Sequence, residues 1–146
     1  MSLLPLLLAG LTAPAPLAPP EVPTAAPLRV AVDERPTIDG VLDEPMWERA
    51  TRLGSLTQVQ PDEGDAPSQR TEVLLAFDAE RLYVGLRCLD DDPATLRATQ
   101  RVRDANLDPD DSIELLLDPF LDRRNAFWFQ IGPGGARGDA LIVDNG

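Results

Sequence analysis

Asp104, Asn106, Asp108 and Asp110 stand at alternate positions, a spacing that lets one loop turn several oxygens toward a hard cation. The run is not an EF-hand loop, because Pro109 stands where that loop needs glycine and Leu115 where it needs the bidentate glutamate. Asp90-Asp91-Asp92 is a second group of oxygens. Both groups are also explained as solvated loops, since Asp and Asn are ordinary turn residues. The chain has no histidine, which removes the usual base near neutral pH, the Ser/His and Cys/His nucleophile pairs and the commonest zinc ligand. A single cysteine, Cys88, excludes an internal disulfide framework and a thiolate metal cluster. Catalysis would have to rest on a carboxylate pair, and among 25 acids nothing singles one out, so the chain reads as no enzyme. Gly132-Pro133-Gly134-Gly135 lacks the lysine and the following helix of a phosphate loop and reads as a turn.

The elements that must position such residues are short strands. From Leu28 onward apolar residues alternate with period two, broken by Asp, Gly and Pro. Over residues 70–78, Val73, Leu75 and Phe77 share one face; over 81–89, Leu82, Val84, Leu86 and Cys88 do the same. Asp78-Ala79-Glu80-Arg81 joins them as a tight connection, which predicts an antiparallel hairpin with that face buried. A second hairpin pairs residues 112–118 with 126–132, with Ile113, Leu115 and Leu117 and Phe127, Phe129 and Ile131 inward. Shorter strands are expected at 29–32, 55–59 and 140–143. Residues 43–50 read as one helical turn with Asp43 as cap and Pro45 in the first turn, and 93–103 fit either helix or loop. Many short strands without β-α-β spacing make the fold class all-β, an antiparallel β-sandwich of immunoglobulin or jelly-roll type.

Two stretches lie outside this pattern. Residues 1–26 carry an apolar run from Leu3 to Leu11 and then a Pro/Ala tract, as a secretory signal peptide and linker would, although no Lys or Arg precedes the run. About 9 apolar residues fall short of the roughly 20 that span a bilayer. The expected location is therefore outside the cytoplasm: periplasm, outer membrane or extracellular space. Residues 27–146 form the single domain, and the turn signal Asp144-Asn145-Gly146 after a strand-like run suggests a sandwich left incomplete at its C-terminal side. Such a domain, expressed by itself, is expected to be poorly soluble. All 13 basic residues are arginine, and the net charge of -12 disfavours nucleic acid and anionic lipid as partners.

Three stretches carry a resemblance. Pro36-Thr37-Ile38-Asp39-Gly40-Val41-Leu42-Asp43-Glu44-Pro45-Met46-Trp47 resembles the opening P-x-I-D-G-x-L-D-E-x-x-W of family 9 carbohydrate-binding modules. Thr71-Glu72-Val73 through Ala76-Phe77-Asp78 with Leu82-Tyr83-Val84 resembles that family's central hairpin. The block from Asp110-Asp111-Ser112 to Gly132-Pro133-Gly134-Gly135 and Asp139 is similar to a subgroup in which the module opens a larger protein, often with a β-barrel-like outer-membrane portion. The resemblance implies a non-catalytic carbohydrate-binding module of an exported protein. Its partners would be a saccharide or polysaccharide and the downstream domains of a longer chain. It leaves two other roles open: an interaction domain at the front of an outer-membrane barrel, or an accessory module of a glycoside hydrolase. Related modules carry structural calcium, which makes Asp104, Asn106, Asp108 and Asp110 the metal candidates.

Sugar recognition needs a flat aromatic face for the C–H surface and planar polar side chains for the hydroxyls. Trp47 reads as a lid residue packed on the core. Trp128 alternates with Phe127 and Phe129 and so shares a polar face with Gln130 and, across the hairpin, with Ser112, Glu114 and Asp118. Trp128 with Glu114 and Gln130 is the first candidate platform, unless further strands cover it. Tyr83 and Arg87 form a second outward pair, of a kind that also commonly just decorates a sheet.

Overall fold

A computed structural model describes residues 24–144; the expected signal peptide and most of its linker lie outside the described residues. These fall into two compact units, one made of residues up to Pro67 together with Thr71–Arg87, the other of Ser68–Arg70 and the chain from Cys88 onward. The all-β expectation holds: the strands form one four-stranded and one three-stranded sheet, with one five-residue α-helix among the described residues.

In the first unit the strands are β1 (Leu28–Arg29), β2 (Thr51–Arg52), β3 (Thr71–Phe77) and β4 (Leu82–Cys88). The expected hairpin is β3 with β4, closed by Asp78 N–H donating to the Arg81 carbonyl at 3.0 Å. Strand β2 is antiparallel to β3, pairing Thr51 with Leu75. Strand β1 departs from the antiparallel expectation. It pairs in parallel with β3, Leu28 beside Ala76, and the long connection between the two strands permits this. The strand expected at 55–59 is a loop that folds on itself, with Gln58 N–H bonded to the Asp65 carbonyl and Gly64 N–H to that of Gln58.

Helix α1 (Pro45–Arg49) begins with Pro45 as expected, but its cap is Glu44 and not Asp43. The Glu44 carboxylate accepts from the Thr37 N–H at 2.6 Å and from Trp47 Nε1 at 3.0 Å, which ties the chain before the helix to the indole within it. The core consists of Val30, Met46, Trp47, Ala50, Leu74, Ala76 and Tyr83. Trp47 is the core lid foreseen from the sequence. The buried face of the hairpin is nevertheless the opposite of the one expected: Leu74, Ala76, Tyr83 and Gly85 are buried, while Phe77, Leu82 and Cys88 are exposed. The reason is room. Ala76 and Gly85 leave a bed for a large ring, and Trp47 lies so close to Gly85 that a Cβ there would meet its Cζ3 at 2.8 Å.

In the second unit β5 (Ile113–Leu117), β6 (Ala126–Ile131) and β7 (Arg137–Ile142) form an antiparallel sheet in that order. Strand β7 is longer than the expected 140–143 because it pairs with β6 throughout, from Ala126 beside Ile142 to Ile131 beside Arg137. The Gly132–Gly135 turn forms as expected, with Gly135 at φ +91° and its N–H bonded to the Gly132 carbonyl. Residues 93–103 hold one 3-10 turn, Pro93–Thr95, and no longer helix. On β6 the expected inward face is again the open one: Phe127, Phe129 and Ile131 are 45%, 38% and 55% exposed, whereas Gln130 on the other face is 9% exposed; on β5 the expected residues Ile113, Leu115 and Leu117 are half-buried, and Glu114 and Leu116 are exposed. Side-chain hydrogen bonds let Gln130 be buried without leaving a donor unmet.

Candidate functional site

The register of the three-stranded sheet gathers the first candidate platform. Glu114 lies beside Gln130, and Gln130 beside Gly138; Leu116 lies beside Trp128, and Trp128 beside Ala140. All share one face of the sheet, because residues paired across a ladder point the same way. The half-buried indole runs across the strands. Its Nε1 donates to Glu114 Oε2 on β5 at 3.3 Å, and its far edge lies over Gly138 on β7, where an added Cβ would meet Cζ3 at 3.5 Å and Cη2 at 3.7 Å. A Cβ at 138 would sit at ordinary contact distance, but a branched side chain would lift the ring, so a small residue there lets the indole lie down on the sheet.

Gln130 needs a correction. It is buried, and its amide nitrogen donates to Ser112 Oγ at 3.3 Å and to Glu114 Oε1 at 3.1 Å. It therefore braces Glu114 from beneath and does not itself reach outward. Glu114 is exposed and accepts one N–H on each oxygen, which leaves further lone pairs on a carboxylate held at a fixed angle to the indole. Asp118, foreseen on the same face, instead organises the loop after β5 by accepting from the Phe120 and Arg123 N–H groups. Three contributors escaped sequence reasoning: Leu116, Gly138 and the Asp104 carboxylate, whose Oδ1 also lies near the Gly138 position. A glycine within a strand was the available signal for the second, and it was hidden because the strand was expected to start at residue 140.

No family model, curated protein or solved structure matches this chain.

The second candidate pair comes apart. Tyr83 is 6% exposed and its hydroxyl donates to Asp78 Oδ2 at 2.7 Å, so it is a core residue and not an outward ring. Arg87 is exposed and ion-paired with Glu72 at 3.1 Å. The burial of Tyr83 follows from the reversed face of the hairpin, whereas Arg87, on the same face near the end of the strand, stays exposed. Asp78 is a structural hub: Oδ1 accepts from the Glu80 and Arg81 N–H groups at 2.7 and 2.9 Å, and Oδ2 accepts from Arg35 Nε at 2.6 Å. The Glu80 N–H above all, with the Tyr83 hydroxyl and the Arg35 guanidinium, holds this buried carboxyl well below the usual carboxylate range against the opposing effect of burial.

The acidic loop does not converge on a common point. Asp110 accepts from Thr99 Oγ1 and from the Gln100 N–H, both at 2.7 Å, and the latter bond leads in lowering its pKa. Asp111 accepts from the Arg97 N–H at 2.7 Å, so the two acids clamp residues 97–100. Asn106 Oδ1 accepts from the Asp108 N–H at 2.9 Å, and Asp104 pairs with Arg103 at 3.3 Å. Among the described residues no group of three or more acids, histidines or cysteines is placed to hold a metal ion. Asp104, Asn106, Asp108 and Asp110 thus do not fit a shared calcium site in this structure; Asn106 and Asp110 use their oxygens within the loop and Asp104 uses one on Arg103.

Proposed function

We propose that the chain is a β-sandwich carbohydrate-binding module of an exported protein, and that it binds a sugar ring on the Trp128 indole with Glu114 accepting from the sugar hydroxyls. One observation carries the reading. The indole lies across three strands with its N–H already satisfied by Glu114, so what it offers a ligand is ring surface beside a braced carboxylate. The motif residues that resemble family 9 modules support it, since Thr37, Glu44 and Trp47 form one hydrogen-bonded unit. A single platform gives weak affinity, about millimolar, because sugar hydroxyls exchange one hydrogen bond for another with water. Titration with soluble neutral oligosaccharides should change the Trp128 fluorescence in a saturable way, and Trp128→Ala should abolish the response while the buried Trp47 still reports the fold. No response to any sugar would remove the reading.

A second reading, an interaction domain without a sugar site, is favoured by the open apolar face of the same sheet, where Phe127, Phe129, Ile131 and Leu141 are all exposed. It predicts no sugar response at all.

A further inference from the structure

The Trp128 indole has a carboxylate at each end. Glu114 stands at the Nε1 end. At the other, Asp104 Oδ1 and the ring atoms Cζ3 and Cη2 close on one point above Gly138, at 3.8, 3.5 and 3.7 Å from where a Cβ would stand. The cation on this side is Arg103, which is shared between Asp104 and Asp139. Two acids therefore divide one guanidinium, and Glu114 has no arginine paired with it among the described residues. Ser112, Leu116, Gln130 and Ala140, which flank the ring on this face, are uncharged. The surface around the ring is net negative, in a chain whose formal charge is -12.

We propose that this platform selects saccharides bearing a protonated amine, such as oligomers of 2-amino sugars, over neutral and anionic ones. The inference rests on the carbohydrate-binding reading and sharpens it. A neutral hydroxyl only replaces a water on Glu114, whereas an ammonium gains a charge-assisted hydrogen bond there. An ammonium over the indole is also attracted by the negative face of the ring. Both contributions are modest at an exposed site, so together they favour the amine about three- to tenfold. A uronic acid in the same place meets repulsion from Glu114 and Asp104.

The test compares four tetrasaccharides on the full chain: glucosamine, its N-acetylated twin, glucose and a uronic acid, in mildly acidic low-salt buffer where the sugar amine is protonated. Trilysine serves as a probe of charge alone. The expected order is glucosamine first by about three- to tenfold, then glucose and the N-acetylated twin, with the uronate weakest. Added salt should shrink the preference for the amine. Glu114→Gln and Asp104→Asn should each lower the ratio of glucosamine to N-acetylglucosamine affinity, whatever happens to the absolute values, and near-ultraviolet circular dichroism checks that each variant is folded. Equal affinity for the amine and its N-acetylated twin, or a gain matched by trilysine, would overturn the inference and leave the sugar-binding reading standing. Silence from all four sugars would remove both.

Discussion

Replacing Gly85 with alanine tests how the first unit is held together. The new Cβ would stand 2.8, 3.1 and 3.2 Å from Cζ3, Cε3 and Cη2 of Trp47, against about 3.5–4.0 Å for a comfortable carbon–carbon contact. The ring has little freedom to retreat. Its Nε1 is bonded to Glu44 at 3.0 Å, and Met46 and Leu74 in the same core are each 1% exposed. Overpacking of this kind costs about 1–3 kcal/mol. The loss of unfolded-chain freedom on going from glycine to alanine offsets about 0.4–1 kcal/mol of it. The net is a destabilisation of about 0.5–2 kcal/mol, or a fall in melting temperature of several degrees for a body of this size, on the order of 4 °C per kcal/mol. Gly54→Ala is the matched control, since nothing lies within 4 Å of its Cβ position, and it should stabilise by up to about 1 kcal/mol. The two substitutions thus differ in sign, which urea denaturation followed by Trp47 fluorescence in a Trp128→Phe background can read. In a Trp47→Leu background the penalty of Gly85→Ala should disappear, because the atoms it strikes are gone. If Gly85→Ala behaves like Gly54→Ala with the indole present, the ring does not lie on Gly85 and the account of the reversed hairpin face fails.

Three further outcomes follow from the same geometry. Asp78, Glu34, Glu44, Asp110 and Asp122 all have folded pKa values below their ordinary ones, so their ionised forms stabilise the fold above the unfolded value near 4, and that contribution is lost as pH falls below about 5; Asp78→Asn should lose stability less steeply than the parent between about pH 5 and 2, and equal slopes by denaturant titration would refute the role of Asp78. Leu74→Ala should cost about 2–5 kcal/mol from a fully buried site, whereas Ile131→Thr should cost less than about 1 kcal/mol and improve solubility; a large loss at Ile131 would show that its face is covered. Gly138→Ala should leave sugar affinity within about threefold, because its Cβ meets the indole at ordinary contact distance, while the branches of Gly138→Val should lift the ring and weaken binding about tenfold, both measured by titration.

The two hairpins were legible in the sequence, the short strand expected at 55–59 was not there, and the buried faces of β3, β4 and β6 were misjudged for one reason. Period two fixes which residues share a face, so Val73 with Leu75 and Phe127 with Phe129 were sorted correctly. It does not say which face is covered when both are apolar enough. In the hairpin β3–β4 the decision belongs to two small residues, Ala76 and Gly85, that make space for Trp47; a hydrophobicity pattern counts such residues as weak signals although they decide the packing. In β6 it belongs to Gln130, a polar residue buried because Ser112 and Glu114 accept its amide protons. No count of apolar side chains finds such a network, since it depends on a cross-strand register that only pairing supplies. The misplaced tyrosine and the demotion of Gln130 from ligand contact to brace are the same error seen twice.

The acids show the complementary case. Their alternate spacing looked like a cation loop, yet Asp110 and Asp111 spend their oxygens on the backbone of residues 97–100, and Asp78 spends its own on the turn that joins β3 to β4. In each instance the carboxylate meets N–H groups from its own neighbourhood, the cheapest donors available to a loop without lysine or histidine. Glu114 is different because its two donors, Trp128 and Gln130, are both side chains on the neighbouring strand, whereas Asp78 and Asp110 combine side-chain with backbone donors; its oxygens stay at the surface beside an aromatic ring. Among these four acids, that difference in the origin of the donors separates the one suited to meet a ligand from those that hold the fold.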